Sequence, residues 1–360
     1  MEVWESIMEL GSGKDKKAQN NKRIGYIDTL RGLAMILVLV GHNDTSLTKY
    51  IYSFHMPLFF FISGLVYKND NSDFKEFVKK RFKGLMIPYF SLALLLYFLW
   101  MPLMHTQEIV LYRENMIRNF IGIFYSQGSV NMAWGLQLWF LPCLFVTSII
   151  FYFISKIKKK FFMIISIILV SSIGFFINST LRVDLLWSFD IALVGVLFYG
   201  SGFLLKDKLG NYKFKVKDSI CVCVGFTFFL LLNKVNGRVD MYSGNYNNII
   251  LFIANSLLGI YMVVAISKSI HCGKIINFIG TNTIIILAFH IRALSLIKSI
   301  YLMIFSLPLK TTSIFNGVIL IPIFEVILII PIIFLLKQIK EYVRYKSIKK
   351  IKEEQVILVE

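Results

Sequence analysis

The sequence predicts an all-α fold, a polytopic integral membrane helical bundle of about ten transmembrane helices with both termini cytoplasmic, and three observations carry that prediction. Hydrophobic residues make up 56% of the 360-residue chain and mean hydropathy is +0.67, more apolar surface than a soluble domain of this length can bury. The apolar residues come in repeated long runs, each separated by polar or charged segments. Finally, the Lys and Arg residues outside those runs are distributed one-sidedly: only Lys49, Arg113, Arg118, Arg182, Lys234, Arg238 and Lys310 fall on the side opposite the N-terminus. That is the positive-inside pattern of an even number of spans. The formal net charge of +18 is therefore topological, and a nucleic-acid partner is not expected.

The first run, 27–41, keeps Arg31 inside it and is followed by Gly-His-Asn without a small-residue cleavage site, so it reads as a retained span and not a signal peptide. The second, 51–67, contains His55 ahead of Met56 and Pro57, ordinary helix-start chemistry. The third covers 85–104 and follows a basic stretch, Lys79 to Lys83. The fourth, 136–154, opens with Trp139 and Phe140 before Pro142, an aromatic edge that reads as an interfacial anchor or as a sugar-stacking platform. It ends at Lys156, Lys158, Lys159 and Lys160, which read as juxtamembrane anchors. Runs five to eight are 161–177, 185–205, 220–232 and 249–266. The ninth, 283–305, is interrupted by His290 and Arg292, and the tenth, 314–336, by Glu325. Unpaired, these groups would be costly in a bilayer, so they are expected to face the bundle interior. An Arg292–Glu325 pair is one reading, a place for His290 at a channel the other.

Segments 1–22 and 341–360 are charged and apolar-poor and are expected to be cytosolic tails flanking one membrane domain, 23–340. The longest external segment, about 105–135, mixes hydrogen-bonding and aromatic residues, and an external substrate is expected there. Cys143, Cys221, Cys223 and Cys272 have neither metal-ligand nor disulfide-framework spacing, and no metal is expected. The Gly11–Lys14 GSGK lacks the flanking residues of a phosphate-binding loop, since Met8 and Asp15 occupy those places.

Arg31 and His42 are the most informative pair. A helix turns about 100° per residue, so eleven steps return a side chain to within roughly 20° of its start, about 16 Å further along. A cation and an imidazole on one face of a membrane helix look like two ends of a substrate channel. Arg31 could alternatively snorkel, with Asp28 three residues earlier as its partner.

The segments IDTLRGLAMILVLVGHN, SFHMPLFFFISGLVY, KKRFKGLMIPY, LWFLPCLF and NTIIILAFH, in this order, resemble the acyltransferase-3 membrane family, with the fucose 4-O-acetylase-like branch as the nearest flavour. The resemblance implies acyl-CoA, most simply acetyl-CoA, as a cytoplasmic donor, and a carbohydrate acceptor on the outer side, a cell-surface polysaccharide or its lipid-linked precursor. Polysaccharide-assembly proteins are then natural partners, and the bacterial plasma membrane the natural location. The family's Arg-or-Lys, ten residues, His motif falls on Arg31 and His42, with the histidine essential for acyl transfer. Its Arg-x-x-Arg motif would start at Arg81, but Gly84 stands in the second arginine's place, with Lys80 and Lys83 alongside.

Combined with the topology, this implies donor phosphates among Lys79, Lys80, Arg81 and Lys83, a pantetheine arm running past Arg31, and a thioester arriving near His42. His42 then acts as general base on the acceptor hydroxyl, oriented by Asp44 and His55. The basic run 79–81 also reads as a plain positive-inside anchor. A transporter or flippase for a surface glycan is the alternative function, though it does not require Arg31 and His42 to be in phase. The membrane-bound O-acyltransferase class is disfavoured, because its histidine is expected late in the chain.

Overall fold

The structure, a computed structural model, describes residues 25–68, 73–100, 116–126, 132, 134–212, 216–269, 273–310 and 313–357. It is an all-α polytopic membrane bundle. Among the described residues there is no strand, and the one extended pairing noted outside helices joins Asp240 to Asn245. Among the described residues, eight helices are long and apolar enough to cross a bilayer: Phe74–Leu99, Leu136–Ser155, Lys160–Leu181, Leu186–Asn211, Asp218–Asn236, Ile249–Ser269, Thr283–Phe305 and Phe315–Val343. They coincide with expected runs three to ten.

The first two runs are shorter helices. Helix α1, Gly25–Gly41, has 17 residues, about 25 Å of rise against a hydrocarbon core of about 30 Å. The second run is broken into α2, Thr48–Tyr52, and α3, His55–Leu65, with Ser53 and Phe54 between them. Such a break is tolerated at membrane depth only inside protein. Ser53, Phe54 and His55 are all buried, and the Ser53 carbonyl accepts a 2.7 Å hydrogen bond from Ser256 Oγ. Pro57 falls in the first turn of α3, where its missing N–H costs little.

The third spanning element starts earlier than the apolar run suggests. Helix α4, Phe74–Arg81, passes through a π-helical turn, Phe82–Met86, into α5, Ile87–Trp100. Pro88 supplies the reason: it cannot bond the carbonyl four residues back, and widening the preceding turn accommodates that loss. The same device recurs before Pro322, where a π-helical turn, Phe315–Leu320, precedes the last helix. Lys79, Lys80, Arg81 and Lys83 accordingly lie on a helix and its bulge, not in a connecting loop.

Beyond α6, Met116–Tyr125, the chain forms α7, Phe140–Ser155, α8, Lys160–Phe176, α9, Phe189–Asn211, α10, Val216–Asn236, and α11, Ile249–Ser269. A short helix α12, Lys274–Thr281, leads to α13, Thr283–Phe305, and α14, Ile321–Ile357. The last helix runs on through 341–357, most of the segment read as a tail. No Pro or Gly follows Pro331, and Lys, Glu and Gln are good helix formers. The N-terminal tail, with its GSGK, and Cys272 lie outside the described residues.

Small residues set the closest crossings, as expected where lipid offers no hydrophobic drive between helices. Helix α9 packs along α3, α8 and α7. A side chain at Gly202 would collide with the Phe61 carbonyl of α3, and one at Gly64 with the Tyr199 carbonyl of α9. Helix α1 is central, packing against α12, α11, α3, α13 and α14. Gly280 of α12 meets the Asp28 carbonyl of α1, and Gly32 of α1 meets the Ile276 carbonyl of α12. Elements from both ends of the chain thereby converge on the helix that carries Arg31 and His42. By contrast, α10 is peripheral: 17% of its spanning window is buried, against 78% for the window that includes α7.

Candidate functional site

His42 follows directly on α1, its amide still bonded to the Val38 carbonyl at 3.2 Å. Its side chain turns back on the same residue, with Nδ1 2.9 Å from the Val38 oxygen. His55 does likewise on the Ile51 carbonyl at 2.9 Å, and His290 of α13 on the Leu287 carbonyl at 2.8 Å. A carbonyl can only accept, so in each ring Nδ1 donates and Nε2 keeps its lone pair. Three imidazoles are thus held in one tautomer by backbone carbonyls three or four residues earlier in the chain.

The rings form a cluster. His42 and His290 meet edge to face with centroids 4.8 Å apart, although they are separated by most of the chain. Tyr52 sits 6.0 Å from His42 and 4.9 Å from His55, so it stands between them. Above Tyr52 lies the Arg238 guanidinium, 5.2 Å from the ring centroid. Asp240 and Asp44 are the carboxylates within electrostatic reach of His42. His290 is fully buried, and its Nε2 has no hydrogen-bond partner among the described residues. His42 is only partly covered, and so accessible to a reactant.

Some expected residues take other places. Asp44 is exposed, in a left-handed turn at φ 50°, and no hydrogen bond joins it to His42 among the described residues. The Val38 carbonyl does the orienting expected of Asp44 and His55. Arg31 keeps its predicted neighbour, with the guanidinium 3.7 Å from the Asp28 carboxylate and 34% of its side chain exposed. Arg31 and His42 are the partly open positions on their face of α1. Between them Met35 and Val38 are shut in, at 1% and 2% exposure. The stripe therefore has two open polar ends and a closed apolar middle.

Lys79, Lys80 and Lys83 are exposed. Arg81 turns inward: its guanidinium donates to Tyr199 Oη at 3.3 Å and packs over the Phe77 and Tyr67 rings, 5.3 and 5.8 Å from their centroids. Gly84 lies exposed in the π-helical turn with nothing near it.

Two further expectations are corrected. Arg292 does not pair with Glu325; it donates to the Trp134 carbonyl at 2.5 Å, while both Glu325 carboxylate oxygens are buried without a hydrogen-bond partner among the described residues. Trp139 is neither interfacial nor a platform, being buried 5.3 Å from the Tyr242 ring. Most of the external segment 105–135 lies outside the described residues. Its described part includes helix α6, and Trp134 near its end is fully buried.

Tyr52, Arg238 and Asp240 were missed from the sequence. Tyr52 carries no signal within an apolar run. Arg238 and Asp240 sit in NGRVDMYSGNYNN, whose glycines and asparagines mark a built turn region.

The family model described as an acyltransferase domain matches residues 24–337. The chain belongs to the acyltransferase-3 family. It is accordingly a multi-pass membrane acyltransferase, and the match spans every helix that contributes to the histidine cluster. No curated protein and no solved structure matches the chain. Within the described residues of the acyltransferase-3 domain, His42, His290 and His55 bring three imidazoles able to move a proton together, which makes their cluster the candidate active site.

Proposed function

We propose that this acyltransferase-3 protein is an O-acyltransferase, O-acetyl foremost, of the fucose 4-O-acetylase-like branch. It carries an acyl group from cytoplasmic acetyl-CoA to a hydroxyl of a cell-surface polysaccharide or its lipid-linked precursor, in a bacterial plasma membrane and beside polysaccharide-assembly proteins. One observation carries the reading: a partly accessible imidazole, His42, is fixed with Nε2 as acceptor at one end of α1 and Arg31 is partly exposed near the other.

In the reaction, the acceptor hydroxyl gives its proton to His42 Nε2 as its oxygen attacks the acyl carbonyl. The carbon–sulfur bond then breaks, and the imidazolium returns the proton to the departing thiolate. Asp240 and Asp44 favour the transient positive charge on His42, and the neutral edge of His290 holds the ring against rotation. Arg238, over the Tyr52 ring, is the cation assigned to the charge developing on the carbonyl oxygen. Lys79, Lys80 and Lys83 receive the donor's phosphates, with Arg31 contacting the donor arm at the inner end. Passage of that arm requires Met35 and Val38 to part.

The test is direct. Purified protein in proteoliposomes, given radiolabelled acetyl-CoA and deacylated surface glycan, is expected to place label in an alkali-labile ester on the glycan. No transfer from any acyl-CoA, together with loss of glycan export in a deletion strain, would overturn the reading in favour of a transporter.

The basic residues separate by role. Replacing Lys79, Lys80 and Lys83 together by glutamine is expected to raise KM for acetyl-CoA about tenfold, a loss of about 1.4 kcal/mol of binding, with kcat retained. Arg81→Ala instead lowers thermal stability, because it strips the Tyr199 hydrogen bond and the stacking on Phe77 and Tyr67. An unchanged KM in the triple variant would remove these lysines from the donor site.

A further inference from the structure

A polar cleft of about 590 Å³ opens beside the histidine cluster, between the π-helical turn Ile177–Leu181 with the stretch that follows it and the loop 237–248. Asn178, Arg182, Asp184, Ser243, Asn245 and Asn247 line it. The loop links the cleft to the cluster. Asp240, within electrostatic reach of His42, and Asn245, which lines the cleft, exchange backbone hydrogen bonds of 2.9 and 3.0 Å. Paired residues of this kind lie about 5.5 Å apart. A ligand in the cleft is therefore one residue pair away from a carboxylate that acts on the imidazole.

The loop is built to hold its shape. Asn247 Nδ2 donates to the carbonyls of Asn236 and Arg238 at 2.7 and 2.8 Å, and Asn236 in turn bonds the Tyr246 carbonyl and the Asn248 amide. Tyr246 is buried against Phe175 and Phe252, with ring centroids 5.1 and 4.9 Å away. Gly244, at φ 65°, lies so close to the Asn178 side chain that a larger residue would have to displace it. Such a rigid polar wall needs little ordering when a ligand binds.

We propose that this cleft is an acceptor subsite that holds further sugar residues of a carbohydrate chain adjoining the one acylated at His42, so that the acceptor is an oligomer or polymer and not a monosaccharide. The inference rests on the carbohydrate acceptor of the proposed function. Amides and hydroxyls that both donate and accept match ring hydroxyls, which do the same. Arg182 and Asp184 offset one another, which favours an uncharged ligand. The volume lies within the roughly 300–1,000 Å³ of sites for drug-sized ligands, enough for more than one ring. Binding energy from the remote rings then positions the reacting hydroxyl, so length is read as rate.

The experiment uses the full-length protein and oligomers of one to six sugars released by hydrolysis of the producing cell's deacylated surface polysaccharide. In the wild type, kcat/KM is expected to rise at least about tenfold from monomer to tetramer. An Arg182→Ala/Asn245→Ala variant, which keeps the backbone pair, is expected to lose most of that ratio. Binding of a fluorescent tetramer without donor is measured alongside, so a variant that turns over poorly still reports on the cleft. Equal rates at all lengths, or an undiminished ratio in the variant, overturn the subsite alone. Length-dependent binding with no acylation from any acyl-CoA overturns the enzyme reading and leaves the subsite standing.

Discussion

His42→Ala is expected to lower acyl transfer by about 10²- to 10⁴-fold, the range over which a positioned general base acts, while the protein still folds and surface glycan is still exported. The separation of activity from folding follows from the contacts. The imidazole's hydrogen bond goes to a backbone carbonyl of α1, so truncation breaks no hydrogen bond between helices and removes only the ring contacts with His290 and Tyr52. His42→Gln is expected to be no better, since an amide cannot accept and return a proton. The measurement is ester formation on isolated glycan from cells expressing each variant, with membrane abundance as control. Wild-type ester content in His42→Ala cells would remove this residue from the chemistry.

Gly202→Leu is expected to be the most damaging substitution for the bundle itself. At this crossing the backbone of α9 lies directly on that of α3, and an added side chain meets the Phe61 carbonyl and the Leu65 amide, neither of which can swing aside. Forcing the helices apart is expected to cost more than about 3 kcal/mol, above the usual range for overpacking, because the obstacle is main chain. Helix α3 begins with His55, so its displacement also disturbs the ring stack through Tyr52. Thermal unfolding and monodispersity in detergent read the effect, with Gly202→Ala falling between leucine and wild type. A Gly202→Leu protein as heat-stable as the parent would show that the crossing is not tight.

The sequence made the membrane class and the placement of the later spans legible because long apolar runs are specified residue by residue. It was less informative where backbone geometry or distant pairing decides. The third helix begins well before residue 85 because a widened turn carries it past Pro88, which apolarity does not report. The pairing of Arg292 with Glu325 was reasonable as charge arithmetic, yet the nearby Trp134 carbonyl took the guanidinium. His42 was found by its phase with Arg31 along one helix. Its contact with His290 depends on the packing of α13 against α1, which no local spacing encodes. The loop that brings Asp240 near the imidazole was visible as a turn-rich stretch, but its destination was not.

The apolar plug formed by Met35 and Val38 has a consequence for the cell as well as for chemistry. Along this face of α1, buried apolar side chains separate the two polar ends, so no polar stripe runs unbroken from Arg31 to His42. Under the proposed function, each turnover would act like an airlock, admitting a thioester from one side while its far door stays shut.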